Sequence, residues 1–181
     1  MNRKTADVLK KVRMVCVDVD GVLTDGGIII ASDGSELKRF DVKDGTGISL
    51  GHYGGLEFSI ISGRYSKVID IRAKELKIRT VYQGAVEKIS AYEDLKKKTG
   101  FKDGEICYIG DEIIDLPVFE KCAFSAAPSD AVPEVKKAAD YVCKKPGGKG
   151  CVREVIDIIL KASGRWEKAV SGYLRYEKPS A

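Results

Sequence analysis

The sequence has 181 residues, of which 44% are apolar and 32% charged, with a formal net charge of +4 and five cysteines without close pairing. This length suits one domain with a sizeable core, and the basic residues are too scattered for a nucleic-acid surface. No apolar stretch reaches the length of a membrane span, and the polar first residues do not resemble a signal peptide. We therefore expect a cytoplasmic protein whose cysteines are free thiols, without nucleic-acid or membrane partners.

Strand-like and helical segments alternate along the chain. Short β-branched or apolar runs predict strands at residues 14–19, 57–61, 79–82, 106–109, 123–125 and 141–143. Apolar residues at helical spacing predict helices at residues 46–53, 65–76, 86–99, 113–121, 132–139 and 150–162. The alternation predicts an α/β fold, with a Rossmann-like, doubly wound parallel sheet, in a single domain over residues 1–181. We expect the core to span residues 12–172 and residues 173–181, which include Pro179, to form a mobile tail.

Residues 26–40 interrupt the alternation and predict a protruding β-hairpin. Two short strand-like runs flank a turn that contains Asp33 and Gly34. Ile28, Ile29 and Ile30 are consecutive, so both faces of the first strand are apolar. A hairpin of this composition is an aggregation hazard when exposed, and we therefore expect a partner to cover it.

Two carboxylates follow the first predicted strand. Asp18 and Asp20 flank Val19 directly after the apolar run, at the end of a parallel strand where open sheets bind ligands. Two like charges this close need a cation or a proton between them. A helix cap or a turn would explain a lone Asp-x-Asp, but the pattern favours a divalent cation and a carboxylate that does chemistry.

Three further segments end at the same edge of the predicted sheet. Ser62 closes the second parallel strand, where its hydroxyl could bind a phosphoryl oxygen or merely cap a helix. Lys88 lies near the start of a later helix and could offset the charge of a carboxylate and a phosphate, although most surface lysines are only solvated. Asp111 and Asp115 follow the fourth strand and offer oxygen ligands for Mg²⁺, while Asp115 could instead cap a turn or face solvent.

The order of these segments, Asp-x-Asp, Ser, Lys and Gly-Asp-x-x-x-Asp, resembles the signature of the haloacid dehalogenase superfamily. Over residues 12–172 the chain also resembles the 3-deoxy-D-manno-octulosonate 8-phosphate (KDO 8-P) phosphatases. The segments that carry this resemblance are DVDGVLTDG at 18–26, VKDG at 42–45, YQG at 82–84, GDEIIDLP at 110–117 and GGKGCVRE at 147–154.

This resemblance implies a phosphatase of the subclass without a cap domain, acting on KDO 8-P in lipopolysaccharide precursor biosynthesis. It also implies a homotetramer in which the hairpin of one subunit lies by the active site of its neighbour.

The resemblance also implies the roles of the motif residues. Asp18 attacks phosphorus to give an aspartyl phosphate, and Asp20 protonates the leaving group and later activates water. Ser62 and Lys88 hold the phosphoryl oxygens.

The implied cofactor is Mg²⁺. Its ligands are Asp18, the backbone carbonyl of Asp20, and Asp111, with Asp115 in an outer position.

Lys43, Arg64, Arg72 and Lys149 are candidate substrate contacts. In the capless subclass an Arg from a neighbouring subunit meets the carboxylate of the sugar acid, and Arg72 is the candidate for it. The alternative for Arg72 is an exposed ion pair with Glu75, three residues further along the same helix.

Two positions depart from the family pattern. Glu112 stands where Asp is more frequent, and Cys151 stands where a small residue is usual.

Two other functions remain open. A sibling phosphatase acts on 2-keto-3-deoxynononate 9-phosphate, but its second motif tends to continue with Glu where this chain has Arg64. A receiver domain also phosphorylates an Asp on an α/β sheet, but its acceptor follows the third strand and not the first.

Overall fold

Six parallel strands form the central sheet of the computed structural model, which describes residues 3–176. The strands of the chain are β1 (Met14–Val17), β2 (Ile29–Ile30), β3 (Glu36–Leu37), β4 (Glu57–Ile61), β5 (Thr80–Tyr82), β6 (Ile106–Ile109), β7 (Phe124–Ala127) and β8 (Tyr141–Val142). The sheet order is β5-β4-β1-β6-β7-β8. The direction of chain progression therefore reverses between β1 and β6, and such a switch point is where doubly wound sheets bind their ligands.

Helices cover both faces of this sheet. They are α1 (Arg3–Leu9), α2 (Val42–Tyr53), α3 (Lys67–Glu75), α4 (Lys88–Thr99), α5 (Leu116–Phe119), α6 (Pro133–Ala138), α7 (Cys151–Ala162) and α8 (Trp166–Tyr176), with 3-10 turns at Asp103–Glu105 and Ile113–Asp115. Residues of α1, α2, α3, α7 and α8 share one core cluster, and residues of α4, α5 and α6 share the other.

Strand β1 shows why the buried strands read as continuous apolar runs. Val15 and Val17 point into the core on one face of the sheet, while Met14 and Cys16 point into the core on the other. All four side chains are buried because alternate residues of a strand face opposite sides and both sides are covered by helices. The predicted α/β fold with a doubly wound parallel sheet is confirmed, and no cap domain is present in residues 3–176.

Several helix bounds differ from the sequence prediction. Helix α2 begins four residues earlier, at Val42, because the Asp41 carboxylate accepts the backbone N–H of Lys43 and caps the helix. The single helix expected at 113–121 is a 3-10 turn followed by the short α5, which has Pro117 in its first turn. Helices α1 and α8 were not predicted. Of the expected tail 173–181, residues 173–176 end α8, and the remainder lies outside the described residues.

The predicted hairpin is present and forms a two-stranded sheet separate from the main one. Strands β2 and β3 pair antiparallel, with Ile29 opposite Leu37 and Ile30 opposite Glu36. Ile28, Ile29, Ile30 and Leu37 each expose more than half of their surface.

Within residues 3–176 the structure contains no helix that combines the length and the apolar character needed to cross a membrane.

Candidate active site

The loop after β1 carries Asp18 to the switch point of the sheet. Val17 lies opposite Ile60 of β4 and Ile109 of β6, so the three strands end at nearly the same level. The backbone N–H of Asp18 donates to the carbonyl of Ile109 at 3.0 Å, which extends the pairing of β1 with β6 by one bond. The side chain of Asp18 is thereby aimed into the crevice between these strand ends.

The next turn of this loop requires glycine at position 21. Gly21 has φ +88°, and a Cβ built on it would lie 2.0 Å from Oδ2 of Asp111. The loops after β1 and β6 therefore touch through a contact that leaves no room for a side chain. This close approach brings Asp111 next to Asp18.

Lys88 is the buried cation of the site. It is the first residue of α4, and its Nζ lies 2.8 Å from Oδ2 of Asp18 and 2.6 Å from Oδ1 of Asp115. Burial alone would lower the pKa of Lys88, but the two carboxylates raise it above its ordinary value, so the ammonium stays charged. Burial raises the pKa of Asp18 to about 6 even though Lys88 acts to lower it.

Asp115 is fully occupied by hydrogen bonds. Its Oδ1 accepts from Lys88 Nζ and from the hydroxyl of Tyr108 at 2.7 Å, and its Oδ2 accepts the backbone N–H groups of Asp111 and Glu112, both at 3.1 Å. The side chain is completely buried, so the alternative that it faces solvent does not hold. Asp115 therefore caps its own turn, as the other alternative had it, and also anchors Lys88. Its outer position around a metal ion stays a prediction.

The acidic residues of this crevice form a group that could hold a metal ion. Asp18, Asp111 and Asp115 each offer an oxygen, and these atoms lie within 4.8 Å of one another. Oδ1 of Asp111 is buried and has no hydrogen-bond partner among the described residues. Burial, followed by the charges of Asp18 and Asp115, raises the pKa of Asp111 to about 8. Three carboxylates face one ammonium, and a hard divalent cation such as Mg²⁺ fits this excess of negative charge and these oxygen ligands.

Ser62 lies at the end of β4 without capping a helix. Helix α3 begins at Lys67 with Ser66 at its N-cap position, two residues later than the sequence suggested. The helix-cap alternative for Ser62 is therefore wrong, and so is the expectation that the helix begins at 65. The Ser62 hydroxyl accepts the backbone N–H of Arg64 at a long 3.4 Å, and the serine is buried at the strand end beside β1.

Asp20 is tied to the hairpin rather than to the other carboxylates. Its Oδ1 accepts from Nζ of Lys38, and its Oδ2 lies 3.5 Å from Nη1 of Arg64. Glu36 pairs with both Lys38 and Arg64, the two cations that contact Asp20. Neither Lys38 nor Glu36 is among the site residues predicted from the sequence. Period-2 alternation in the predicted strand could have indicated them, because Glu36 and Lys38 share the face opposite Leu37.

Among residues 3–176, the remaining predicted substrate contacts form no ion pair with Asp18, Asp111 or Asp115. Lys43 and Lys149 are both exposed and line one basic surface groove together with Lys144, Lys145 and Arg153. Arg72 is 17% exposed, and its Nη1 donates to Oε2 of Glu75 at 2.7 Å, while the guanidinium lies over the ring of Phe40. Within its own chain, Arg72 thus makes the ion pair with Glu75 that was the alternative, with the arginine side chain mostly buried and that of Glu75 65% exposed.

Both departures from the family pattern have local partners. Oε1 of Glu112 accepts the backbone N–H of Ile113 at 2.7 Å, so its longer arm turns back on its own loop. The buried Cys151 thiol donates to the carbonyl of Val22 at 3.3 Å and joins the start of α7 to the loop after β1. Neither residue displaces a carboxylate of the crevice.

Comparison with known proteins identifies the family. Residues 55–155 match the family model of haloacid dehalogenase-like hydrolases. The 3-deoxy-D-manno-octulosonate 8-phosphate phosphatase of Escherichia coli (strain K12) is 42% identical over 168 residues, which cover 91% of this chain and 89% of that protein.

Solved structures agree with this result. The phosphatase of that name from Yersinia pestis has a TM-score of 0.90 at 38% identity, covering 92% of this chain and 90% of that one. The Moraxella catarrhalis phosphatase, solved in complex with magnesium ion, phosphate ion and KDO, has a TM-score of 0.91 at 35% identity, covering 96% of this chain and 99% of that one. This chain is a haloacid dehalogenase-like hydrolase and belongs to the 3-deoxy-D-manno-octulosonate 8-phosphate phosphatase family.

Proposed function

We propose that the protein is a Mg²⁺-dependent phosphomonoesterase that hydrolyses KDO 8-P to the free sugar acid and phosphate. The observation that carries the proposal is the crevice in which Asp18 lies beside the buried Lys88 and beside Asp111, whose Oδ1 has no hydrogen-bond partner among the described residues. Relatives that are 42% identical over 91% of the chain bear the name of this activity. We further propose that the reaction takes place in the cytoplasm and serves lipopolysaccharide precursor synthesis.

The reaction proceeds in two displacements. A carboxylate oxygen of Asp18 forms a bond to phosphorus while the ester oxygen leaves with the electron pair and takes a proton from Asp20. Water then attacks the aspartyl phosphate, gives its proton to Asp20 and releases phosphate. Ser62 and Lys88 hold the non-bridging oxygens during both steps.

Asp18, Asp111 and the backbone carbonyl of Asp20 would hold the metal. When bound, Mg²⁺ supplies positive charge that offsets the repulsion between the carboxylate nucleophile and the phosphate dianion. The full hydrogen-bonding of Asp115 favours its role as a support for Lys88 and for the loop that carries Asp111.

A phosphate-release screen tests the proposal. Purified protein is assayed with KDO 8-P, 2-keto-3-deoxynononate 9-phosphate and simple sugar phosphates, each with and without Mg²⁺. We expect the highest kcat/KM for KDO 8-P and loss of activity in excess chelator. A preference for the nine-carbon acid would transfer the function to the sibling group, and full activity in chelator would contradict the metal site.

The assembly belongs to the same proposal. We propose a homotetramer in which the hairpin is covered by other subunits, supported by the exposed Ile28, Ile29, Ile30 and Leu37. Lys43, Arg64 and Lys149 remain candidate substrate contacts within this proposal.

Arg72 of a neighbouring subunit is proposed to meet the carboxylate of the sugar acid, exchanging its pair with Glu75 for the substrate. A charge-assisted bidentate contact contributes roughly 1.5–3 kcal/mol. Replacing Arg72 with Ala should lower kcat/KM for KDO 8-P by about one to two orders of magnitude and leave p-nitrophenyl phosphate hydrolysis nearly unchanged. Equal losses on both substrates would mean that Arg72 supports the fold through Glu75 and Phe40.

A further inference from the structure

Four charged side chains form a closed ring between the hairpin and the loops after β1 and β4. Lys38 contacts both Asp20 and Glu36, the latter at 3.3 Å from Nζ to Oε1. Arg64 completes the ring, with Nη2 3.1 Å from Oε1 of Glu36 and Nη1 3.5 Å from Oδ2 of Asp20. Positive and negative charges alternate around the ring, and two of its members, Glu36 and Lys38, belong to the hairpin or follow it directly.

Lys38 is the most deeply buried member of this ring. Its side chain is 1% exposed, compared with 18% for Glu36, 21% for Asp20 and 41% for Arg64. A buried ammonium is costly unless it is paired, and the two carboxylates of the ring are its partners. The hairpin therefore delivers a charged group to the active site, while its apolar residues face outward.

The two oxygens of Asp20 have different surroundings. Oδ1 accepts a hydrogen bond from Lys38. Oδ2 is buried and has no hydrogen-bond partner among the described residues, because the contact with Arg64 is too long and misaligned to be one. The bond to Lys38 fixes the rotation of the carboxyl group and leaves Oδ2 as the oxygen that can exchange a proton.

We propose that Lys38 is a positioning residue that holds the Asp20 carboxyl in the orientation needed to protonate the leaving group. This inference rests on the proposed function, in which Asp20 is the general acid. Breaking the P–O ester bond leaves an electron pair on the ester oxygen, and an alkoxide must receive the proton from Asp20 as it departs. A p-nitrophenolate is stable as an anion and departs without that proton.

The dependence on leaving group gives a test that a merely structural role would not pass. Lys38→Met removes the ammonium and keeps the apolar stem of the side chain. For KDO 8-P we expect single-turnover phosphorylation to slow by roughly 10- to 100-fold, since misplaced catalytic groups and lost general acids cost rates of this order. The pre-steady-state burst of p-nitrophenolate from p-nitrophenyl phosphate, which reports the same step without a proton demand, should change less than about threefold.

Arg39→Met is the matched control. Arg39 is the next residue along the hairpin, it is 65% exposed, and it pairs with Asp25 outside the ring. We expect both substrates to react with Arg39→Met as they do with the unsubstituted protein.

Two results would overturn the role of Lys38. Equal slowing on both substrates would make Lys38 a structural or phosphate-binding residue. No slowing on either substrate would show that the pair of Lys38 with Asp20 does not contribute to the reaction. If Lys38→Met folds poorly, the double variant Glu36→Gln/Lys38→Met removes one charge of each sign and should show the same contrast between substrates. An unsubstituted protein that hydrolyses neither ester would instead refute the proposed function itself, and the inference with it.

Discussion

At the scale of single residues, the site depends on an imbalance of charge. Lys88 offers one ammonium to Asp18 and Asp115, and Asp111 adds a third carboxylate whose Oδ1 has no hydrogen-bond partner among residues 3–176. The Asp115 carboxylate already accepts four hydrogen bonds, from Lys88, from Tyr108 and from two backbone N–H groups. Of these three carboxylates, Asp18 and Asp111 are therefore the two that remain able to act on a ligand.

The first prediction concerns Asp18. Asp18→Asn should lower turnover by roughly 10³-fold or more with the fold intact, because an amide oxygen cannot form an acyl phosphate. Steady-state phosphate release from freshly purified protein, checked by mass spectrometry for deamidation, measures it. Asp94→Asn is the control, since Asp94 lies in the same helix as Lys88 and pairs with Tyr82 and Lys98. Turnover by Asp18→Asn at the rate of the control would contradict the proposed role of Asp18 as the nucleophile.

A second prediction uses the contact between Gly21 and Asp111. Gly21→Ala should weaken Mg²⁺ binding at least tenfold, because the new Cβ would lie 2.0 Å from Oδ2 of Asp111 and must displace it. Gly164→Ala separates this effect from backbone strain, since Gly164 also has a positive φ, +68°, but a Cβ built on it would have no atom within 4 Å. Isothermal titration with Mg²⁺ in the absence of substrate is the measurement. Equal affinities in the two variants would show that the loops can separate without harm to the metal site.

At the scale of secondary-structure elements, helix α7 is held at its start by a residue of α2. The backbone N–H groups of Gly150 and Arg153 donate to the Asp44 carboxylate at 3.1 and 2.8 Å. An anion at a helix N-terminus satisfies unpaired donors and the helix dipole. Burial nevertheless raises the pKa of Asp44 to about 6, since the N–H groups only partly offset the loss of solvent.

The third prediction is a pH dependence with a defined sign. The pKa of Asp44 is about 6 in the folded chain, compared with its ordinary value of 3.8. Between pH 3.8 and about pH 6, the folded chain therefore binds this proton more tightly than the unfolded chain does. The stability that Asp44 contributes is therefore fully present below its unfolded pKa and is lost as the pH rises through about 6. The difference in unfolding free energy between the unsubstituted protein and Asp44→Ala should be larger at pH 5 than at pH 7 by about 1 kcal/mol. Urea unfolding at both pH values measures it, and a difference independent of pH would contradict the assignment.

Sequence patterns predicted what is local and missed what is long-range. The ends of β1, β4 and β6 followed from short apolar runs, and parallel strands bring their carboxyl ends to one edge, so Asp18, Ser62 and Asp111 could be grouped in advance. The capping of α7 by Asp44 joins residues more than a hundred positions apart and leaves no local pattern. The pair of Lys38 with Asp20 depends in the same way on the hairpin folding back over the loop after β1.

At the scale of the whole molecule, the order of the sheet separates this protein from receiver domains. Numbered along the chain, the six parallel strands lie in the order 3-2-1-4-5-6, whereas receivers have the order 2-1-3-4-5. The hairpin stands outside this sheet, and its three consecutive isoleucines are each more than half exposed in the single chain.

The fourth prediction concerns the assembly. Light scattering at micromolar concentration should give the mass of a tetramer, and Ile30→Glu should shift it to smaller species, because a charge cannot be buried in an apolar contact without a partner. Leu174→Glu is the control: Leu174 is 56% exposed on α8, as Ile30 is 66% exposed on the hairpin. A monomer in the unsubstituted protein, or equal masses in both variants, would contradict a hairpin-mediated assembly.

The burial of Lys88 has a practical consequence for handling the protein. Its ammonium is 0% exposed and held protonated between two carboxylates, so it is neither accessible nor nucleophilic. Amine-reactive reagents should acylate exposed lysines such as Lys10, Lys98 and Lys161 and leave Lys88 unmodified as long as the chain is folded. The protein can therefore be coupled through its surface amines to a solid support without blocking Lys88. Labelling of Lys88, detected by mass spectrometry, would in turn report local unfolding of the site.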